Sequence, residues 1–252
     1  MKRLLLLSNS TSHGSGYLDH AMEVIVHWLD GVRRIAFVPF AVQDHAGYVA
    51  RVRERFAREG IAVQGVTADA EGASLLESAE SVFVGGGNTF RLLDRLQRTG
   101  QLEVLKRRAG TGLPYLGASA GTNVAAPTVK TTNDMPIVEP RSFAALGLVP
   151  FQINPHYQDP DPASTHMGET REQRLKEFLE ENDVPVIGLR EGTWLQVDGG
   201  RTTLAGPAGA RIFRRGAEPQ EVAAGADLDW LSRSADDATG RSGTSDGSAS
   251  AP

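Results

Sequence analysis

Gly117-Ala118-Ser119-Ala120-Gly121 is a G-x-S-x-G sequence that directly follows an apolar run reading as a strand. A serine on such a strand-to-helix bend is exposed at the C-terminal edge of a sheet, where open α/β sheets bind their ligands. The flanking glycines leave room for the close backbone approach that the bend requires. The N–H of Ala120 then points into the same space and, with the dipole of a following helix, suits a developing oxyanion. A second glycine turn, Gly85-Gly86-Gly87-Asn88-Thr89, also follows a strand and opens a helix. It lacks the lysine of a P-loop and the spacing of a dinucleotide fingerprint, so nucleotide binding is the weaker reading. The Gly87 N–H is the better choice for a second oxyanion donor.

A serine hydroxyl needs a base, and the chain holds six histidines: His13, His20, His27, His45, His156 and His166. His20 and His27 fall on a surface helix pattern, where a solvated side chain is the ordinary fate. His13 and His45 stand in loops at strand ends and remain open as bases. His156, in Ile153-Asn154-Pro155-His156-Tyr157, follows a proline that fixes the backbone and aims the side chain, which gives it a modest edge. Two acids lie near element ends where a carboxylate could orient the imidazole, Asp134 and Glu191; turn or cap duty is the commoner role of such residues.

The elements that must position these groups are legible as alternating patterns. Apolar runs at 4–8, 34–40, 61–66, 81–87 and from 113 read as strands, and between them Val49, Val52 and Phe56, or Phe90, Leu92, Leu93 and Leu96, recur at helical spacing. Such alternation predicts a parallel sheet with right-handed crossovers and helices on both faces. Past Pro136 the pattern turns to Pro-rich loops, a charged helix over 169–181, and short strands that extend the sheet and add a hairpin. Residues 1–231 therefore read as one α/β catalytic domain. Residues 232–252 are mostly Ser, Gly, Asp and Ala, which cannot repay the entropy of ordering, and read as a disordered tail.

Composition narrows the function classes. With 40% hydrophobic and 23% charged residues, the 252-residue chain matches an ordinary soluble domain. The absence of cysteine excludes disulfides, thiolate metal sites and a cysteine nucleophile. The four leucines near the start are too few for a signal-peptide core or a membrane span, so the expected location is the cytoplasm, with no membrane partner. A net charge of −5 with interspersed signs argues against a nucleic-acid partner. Nor does it favour an acidic substrate, so any such preference needs a local arginine or lysine.

Taken together, LLLLSNST at the start, VGGGNTF from Val84, GASAGTN from Gly117, TTNDMPI from Thr131, INPH from Ile153, GETREQR from Gly168 and IGLREGTW from Ile187 resemble peptidase E, the alpha-aspartyl dipeptidase family of serine peptidases. The matches run across most of residues 1–230. The resemblance implies a three-layer flavodoxin-like sheet related to the class I glutamine amidotransferases. It also implies hydrolysis of small acidic dipeptides with N-terminal aspartate, without metal or organic cofactor, and a homodimer by analogy. Carried onto this chain, it puts the nucleophile on Ser119 and the base on His156. The acid falls on Asp134 first, with Glu191 as the alternative. Arg171 would hold the substrate's side-chain carboxylate, with Asn88 also on the substrate side. The family usually has an aromatic residue before the serine, where this chain has Ala118, so the adjacent pocket is expected to differ in shape. A cyanophycinase-like hydrolase or esterase with the same triad, or a non-catalytic flavodoxin-like module binding an anion at the glycine turn, are the competing readings.

Overall fold

The computed structural model describes residues 1–163, 165 and 167–232. Within them the chain runs through β1 (Arg3–Leu7), α1 (Met22–Leu29), β2 (Arg34–Val38), α2 (His45–Ala57), β3 (Ala62–Gly65), α3 (Ala70–Ser78), β4 (Val82–Val84), α4 (Thr89–Arg98) and α5 (Gln101–Gly110). It continues through β5 (Tyr115–Ala118), α6 (Ala120–Asn123), β6 (Gln152–Tyr157), α7 (Arg171–Glu181), β7 (Val186–Arg190), β8 (Trp194–Asp198), β9 (Arg201–Ala205), β10 (Ala210–Phe213) and β11 (Gln220–Val222).

The main sheet has seven strands in the order β3-β2-β4-β5-β1-β8-β9. Its first five are mutually parallel, and β8 and β9 add the expected antiparallel hairpin beside β1. Because side chains alternate across a strand, a run of four apolar residues suits one that is covered on both faces. Leu4 and Leu6 join one core cluster, while Leu5 and Leu7 join the other with Ile25 and Trp28 of α1 and Val52 and Phe56 of α2. Helices α4 and α5 cover the opposite face through Leu92, Leu93, Leu96 and Leu105. The three-layer arrangement is the flavodoxin-like one, with a mostly parallel sheet.

Two features depart from the expected plan. The run VPVIGL does not extend the main sheet: as β7 it joins a second, four-stranded sheet ordered β11-β10-β7-β6. The reason lies in pairing, since the free edge of β1 is already taken by β8, and Gly188 of β7 admits the ring of Tyr157 from β6 where any Cβ would collide at 2.7 Å. This sheet packs Ile153, Ile187 and Leu189 into the same cluster as Leu4 and Leu6, so both sheets rest on one core. The second departure is His156, which lies inside β6 rather than on a loop, beside a register irregularity between Asn154 and Tyr157. At the C-terminal end, Ser232 closes a 3-10 turn (Asp229–Ser232) and hydrogen-bonds with Thr202; the rest of the expected tail lies outside the described residues.

The glycines of the serine bend act by permitting contact. A Cβ on Gly121 would stand 2.0 Å from the carbonyl oxygen of Val84, and one on Gly117 would stand 2.6 Å from that of Gly121. Gly121→Ala therefore forces β4 and α6 apart, and overpacking of this kind costs about 1–3 kcal/mol. Urea denaturation should show a loss of that size, and a midpoint equal to wild type would contradict the close approach.

Candidate active site

Ser119 follows the last residue of β5 and has φ 55° and ψ −111°, a conformation that a residue with a Cβ adopts only under constraint. The constraint is visible in its hydrogen bonds. The Ser119 N–H donates to the Leu7 carbonyl at 3.1 Å, and its own carbonyl accepts from the N–H groups of Thr122 and Asn123 at 2.9 Å. The Thr122 hydroxyl also donates to Leu7 O, the buried Tyr115 hydroxyl donates to Gly121 O, and Asn123 Nδ2 donates to Ile153 O of β6. The helix after the serine is a single turn, so directed N–H groups matter more here than a summed helix dipole.

His156 also has a positive φ, 54°. Its backbone N–H donates to Ser8 Oγ at 2.9 Å, and the Ser8 hydroxyl donates to Leu189 O at 2.9 Å. The preceding carbonyl, of Pro155, accepts from Asn133 Nδ2 at 2.7 Å, and Asn133 is in turn held by Asn154. So placed, the imidazole Nε2 stands 3.0 Å from Ser119 Oγ and Nδ1 stands 2.7 Å from Glu191 Oε1. A carboxylate only accepts, so Nδ1 carries the proton and Nε2 is left to accept from the serine hydroxyl.

Glu191 belongs to the turn between β7 and β8. Gly192, at φ 81°, donates its N–H to Asn9 Oδ1 at 2.8 Å, and the Ser8 N–H donates to Thr193 O at 2.9 Å. At the base of the turn Arg190 pairs with Asp159 and Glu221, whose hydrogen bonds push its pKa upward. Ser8 and Asn9, both wholly buried at the end of β1, thus hold the histidine strand and the glutamate turn at once. Neither was assigned a role from the sequence. The available signal was a polar pair closing an otherwise continuous apolar strand.

Of the two carboxylates left open, the imidazole therefore meets Glu191. Asp134, the first choice, is turned to α4, where Oδ2 accepts from the Thr89 N–H at 2.7 Å and from the Thr132 hydroxyl at 3.2 Å. Asn88, expected on the substrate side, has a structural role as well. It caps α4, accepting from the Arg91 N–H at 3.0 Å and donating to Met135 O at 2.9 Å, so both ends of its amide are engaged. None of the other described histidines is hydrogen-bonded to the serine. His45 contacts Arg95 and has its pKa lowered by burial, His13 is exposed, His27 lies on α1, and His166 is outside the described residues. His20 sits in a 3-10 turn before α1, and both its ring nitrogens are buried without a hydrogen-bond partner among the described residues.

Gly87 and Ala120, the two expected oxyanion donors, each line a cavity that Ser119 also lines. A Cβ on Gly86 would come within 3.0 Å of Ser119 Cβ, and Gly86 donates its own N–H to the Tyr48 hydroxyl. The Gly87 N–H finds no acceptor among the described residues. Ser119 and His156 stand at the junction of two cavities. One, of about 290 Å³, is lined by Ala120, Asn133, Asp134, Arg171 and Glu191. The other, of about 420 Å³, is lined by Gly87, Tyr17, Tyr48 and Arg51. Arg171 opens α7 behind the Thr170–Gln173 capping box, and its Nη1 is buried with no hydrogen-bond partner among the described residues. Burial lowers its pKa while the charge of Glu191 opposes the shift. Ala118, by contrast, is buried against β1 in the core and lines neither cavity, so its small size shapes the packing beneath the serine.

The profile of Peptidase family S51 matches residues 4–205. A Streptomyces coelicolor protein named "Peptidase E" is 62% identical over 228 residues, covering 90% of this chain and 94% of that one. A Drosophila melanogaster protein named "Probable alpha-aspartyl dipeptidase" is 45% identical over 233 residues, covering 91% and 97%. Among solved structures, a peptidase from an acI-B1 actinobacterium shares the fold at a TM-score of 0.68 and 20% identity, covering 90% of this chain and 96% of that one.

If the Ser8 clamp holds the imidazole on the serine, a fluorophosphonate should label Ser119 in the wild type. Labelling of Ser8→Ala should be about tenfold slower, as expected for loss of the hydrogen bond that holds His156 in place. Equal labelling rates would show that the clamp does not matter to the nucleophile.

Proposed function

Because the chain belongs to peptidase family S51, we propose that it is a serine dipeptidase releasing N-terminal aspartate from Asp-Xaa dipeptides. The observation that carries this reading is a line of hydrogen bonds, Glu191 to His156 to Ser119, in one cavity with a guanidinium that has an unpartnered buried nitrogen. The line activates a hydroxyl, and the guanidinium supplies a bidentate partner for a side-chain carboxylate.

The chemistry then runs in two halves. Ser119 Oγ attacks the aspartyl carbonyl carbon as its proton passes to His156 Nε2, and the N–H groups of Gly87 and Ala120 receive the oxyanion. The C–N bond breaks as His156 returns the proton to the leaving amine, which leaves an ester on Ser119. Water attacks that ester, giving a proton to His156, and the serine departs reprotonated as aspartate is released. Glu191 holds the imidazole in the required tautomer and balances its transient charge. No step calls for a metal or organic cofactor.

An Arg171 that lacks a carboxylate partner is left buried and unsatisfied, so a substrate with a neutral first side chain loses more than one contact. This favours the dipeptidase over a hydrolase with the same triad and a different pocket, and the names of the relatives point the same way. Among the described residues no helix is long and apolar enough to cross a membrane, and we propose a cytoplasmic location, with which the absence of cysteine agrees.

Ser119→Ala should lower kcat on Asp-Leu by at least about 10⁴-fold while keeping the wild-type thermal midpoint. Arg171→Ala should lose about 10²-fold or more in kcat/KM on Asp-Leu and little on the already poor Ala-Leu. Wild-type protein cleaving Asp-Leu and Ala-Leu at equal rates would reject the aspartyl preference.

A further inference from the structure

The 420 Å³ cavity on the far side of Ser119 is not used by the aspartyl side chain in the reading above, and its construction suits a different group. Ser119 and His156 line both cavities, so a scissile bond seated on them has one substituent in each. With the aspartyl side chain directed to Arg171, the departing residue enters the second cavity. Its nitrogen must also meet His156, which returns the proton to it.

One stripe of α2 forms a wall of this cavity: Asp44 at the cap, then Gly47, Tyr48 and Arg51, spaced three and four residues apart. The charges on the stripe are not equivalent. Asp44 is engaged, accepting from the Gly47 N–H at 2.9 Å. The next arginines along the helix are engaged as well: Arg53 donates to Val63 O, Arg55 pairs with Asp19 and Glu59, and Arg58 pairs with Glu54. Arg51 alone of these has no hydrogen-bond or ion-pair partner among the described residues, and it is the one that faces the cavity. Beside Arg51 on this stripe, Tyr48 meets Tyr17 edge to face with centroids 6.2 Å apart, and burial raises both phenol pKa values, which keeps this part of the lining neutral. The cavity therefore offers apolar ring surface, hydroxyls and one unpaired cation.

We propose that this cavity is the site of the departing residue, with Arg51 pairing the free C-terminal carboxylate of the dipeptide and Tyr17, Tyr48 and Val42 receiving its side chain. The inference rests on the dipeptidase reading. It adds a reason for the short substrate: a dipeptide is the only peptide of aspartate whose terminal carboxylate follows the scissile amide by a single residue. Each further residue moves that carboxylate away by up to about 3.3–3.6 Å.

The test compares Asp-Leu with Asp-Leu-amide, which differ only in that carboxylate, on wild type, Arg51→Gln and Arg51→Lys. Wild type should favour Asp-Leu by about tenfold in kcat/KM, chiefly through KM, as a charge-assisted hydrogen bond supplies. In Arg51→Gln the preference should collapse to near unity, and Arg51→Lys should restore part of it. A preference unchanged in Arg51→Gln, or absent in wild type, would overturn the assignment. Wild type that cleaves neither compound would instead remove the dipeptidase reading beneath it.

Discussion

The hydrogen bond from Ser119 to His156 spans two sheets. The serine ends a strand of the seven-stranded sheet and the histidine lies in the four-stranded one, so a contact of 3.0 Å requires the sheets to be held in fixed relation. That relation has two sources. A shared apolar core, with Leu4 and Leu6 against Ile153, Ile187 and Leu189, supplies the non-directional part. Polar stitches at the strand ends supply the direction: Ser8 to His156 and Leu189, Asn9 to Gly192, and Asn123 to Ile153. The bonds to Leu189, Ile153 and Gly192 are buried and the one to His156 is part-buried; a lost buried partner costs about 1–3 kcal/mol, so the arrangement has little freedom to slip.

The site also stores strain. Ser119 and His156 are two of the three residues other than glycine that have positive φ among the described residues, and such conformations cost on the order of 1–3 kcal/mol each. Both are over-determined by backbone hydrogen bonds to neighbouring strands. What the strain brings is aim: an extended Ser119 would turn its side chain to one face of the sheet, and a regular β6 would turn the imidazole elsewhere. The two cavities follow from the same geometry, because side chains turned toward each other at a bend leave space on either side.

Much of this was legible in the sequence. The apolar runs gave the parallel strands because buried parallel strands lack polar alternation, and the serine bend was visible because glycines must flank it. The pairing of β7 with β6 was not legible, since it depends on which sheet edge is free and on a glycine admitting Tyr157 across the strands. Asp134 and Glu191 could not be separated for a related reason: both sit at element ends, and only the folded turn shows that Asp134 faces the N-terminus of α4. Asn88 carried a substrate role by resemblance, whereas a residue in the fourth position of a glycine turn before a helix is also placed to cap it. The Arg51 stripe had no signal in sequence, because a lone basic residue on an amphipathic helix reads as a solvated face until the partners of its neighbours are known.

The identity of the acid is the point at which the geometry commits itself most sharply. The direct measurement is kcat on Asp-Leu for Glu191→Gln and Asp134→Asn beside wild type. An amide at position 191 can stabilise the wrong tautomer and gives no charge to the imidazolium, so Glu191→Gln should lose about 10³–10⁴-fold. Asp134→Asn, which alters the hydrogen bonds to Thr89 and Thr132 and leaves the imidazole's partner in place, should lose less than about tenfold. The reverse order, with Asp134→Asn nearly inactive and Glu191→Gln nearly as fast as wild type, would contradict the Glu191–His156–Ser119 line and the mechanism built on it.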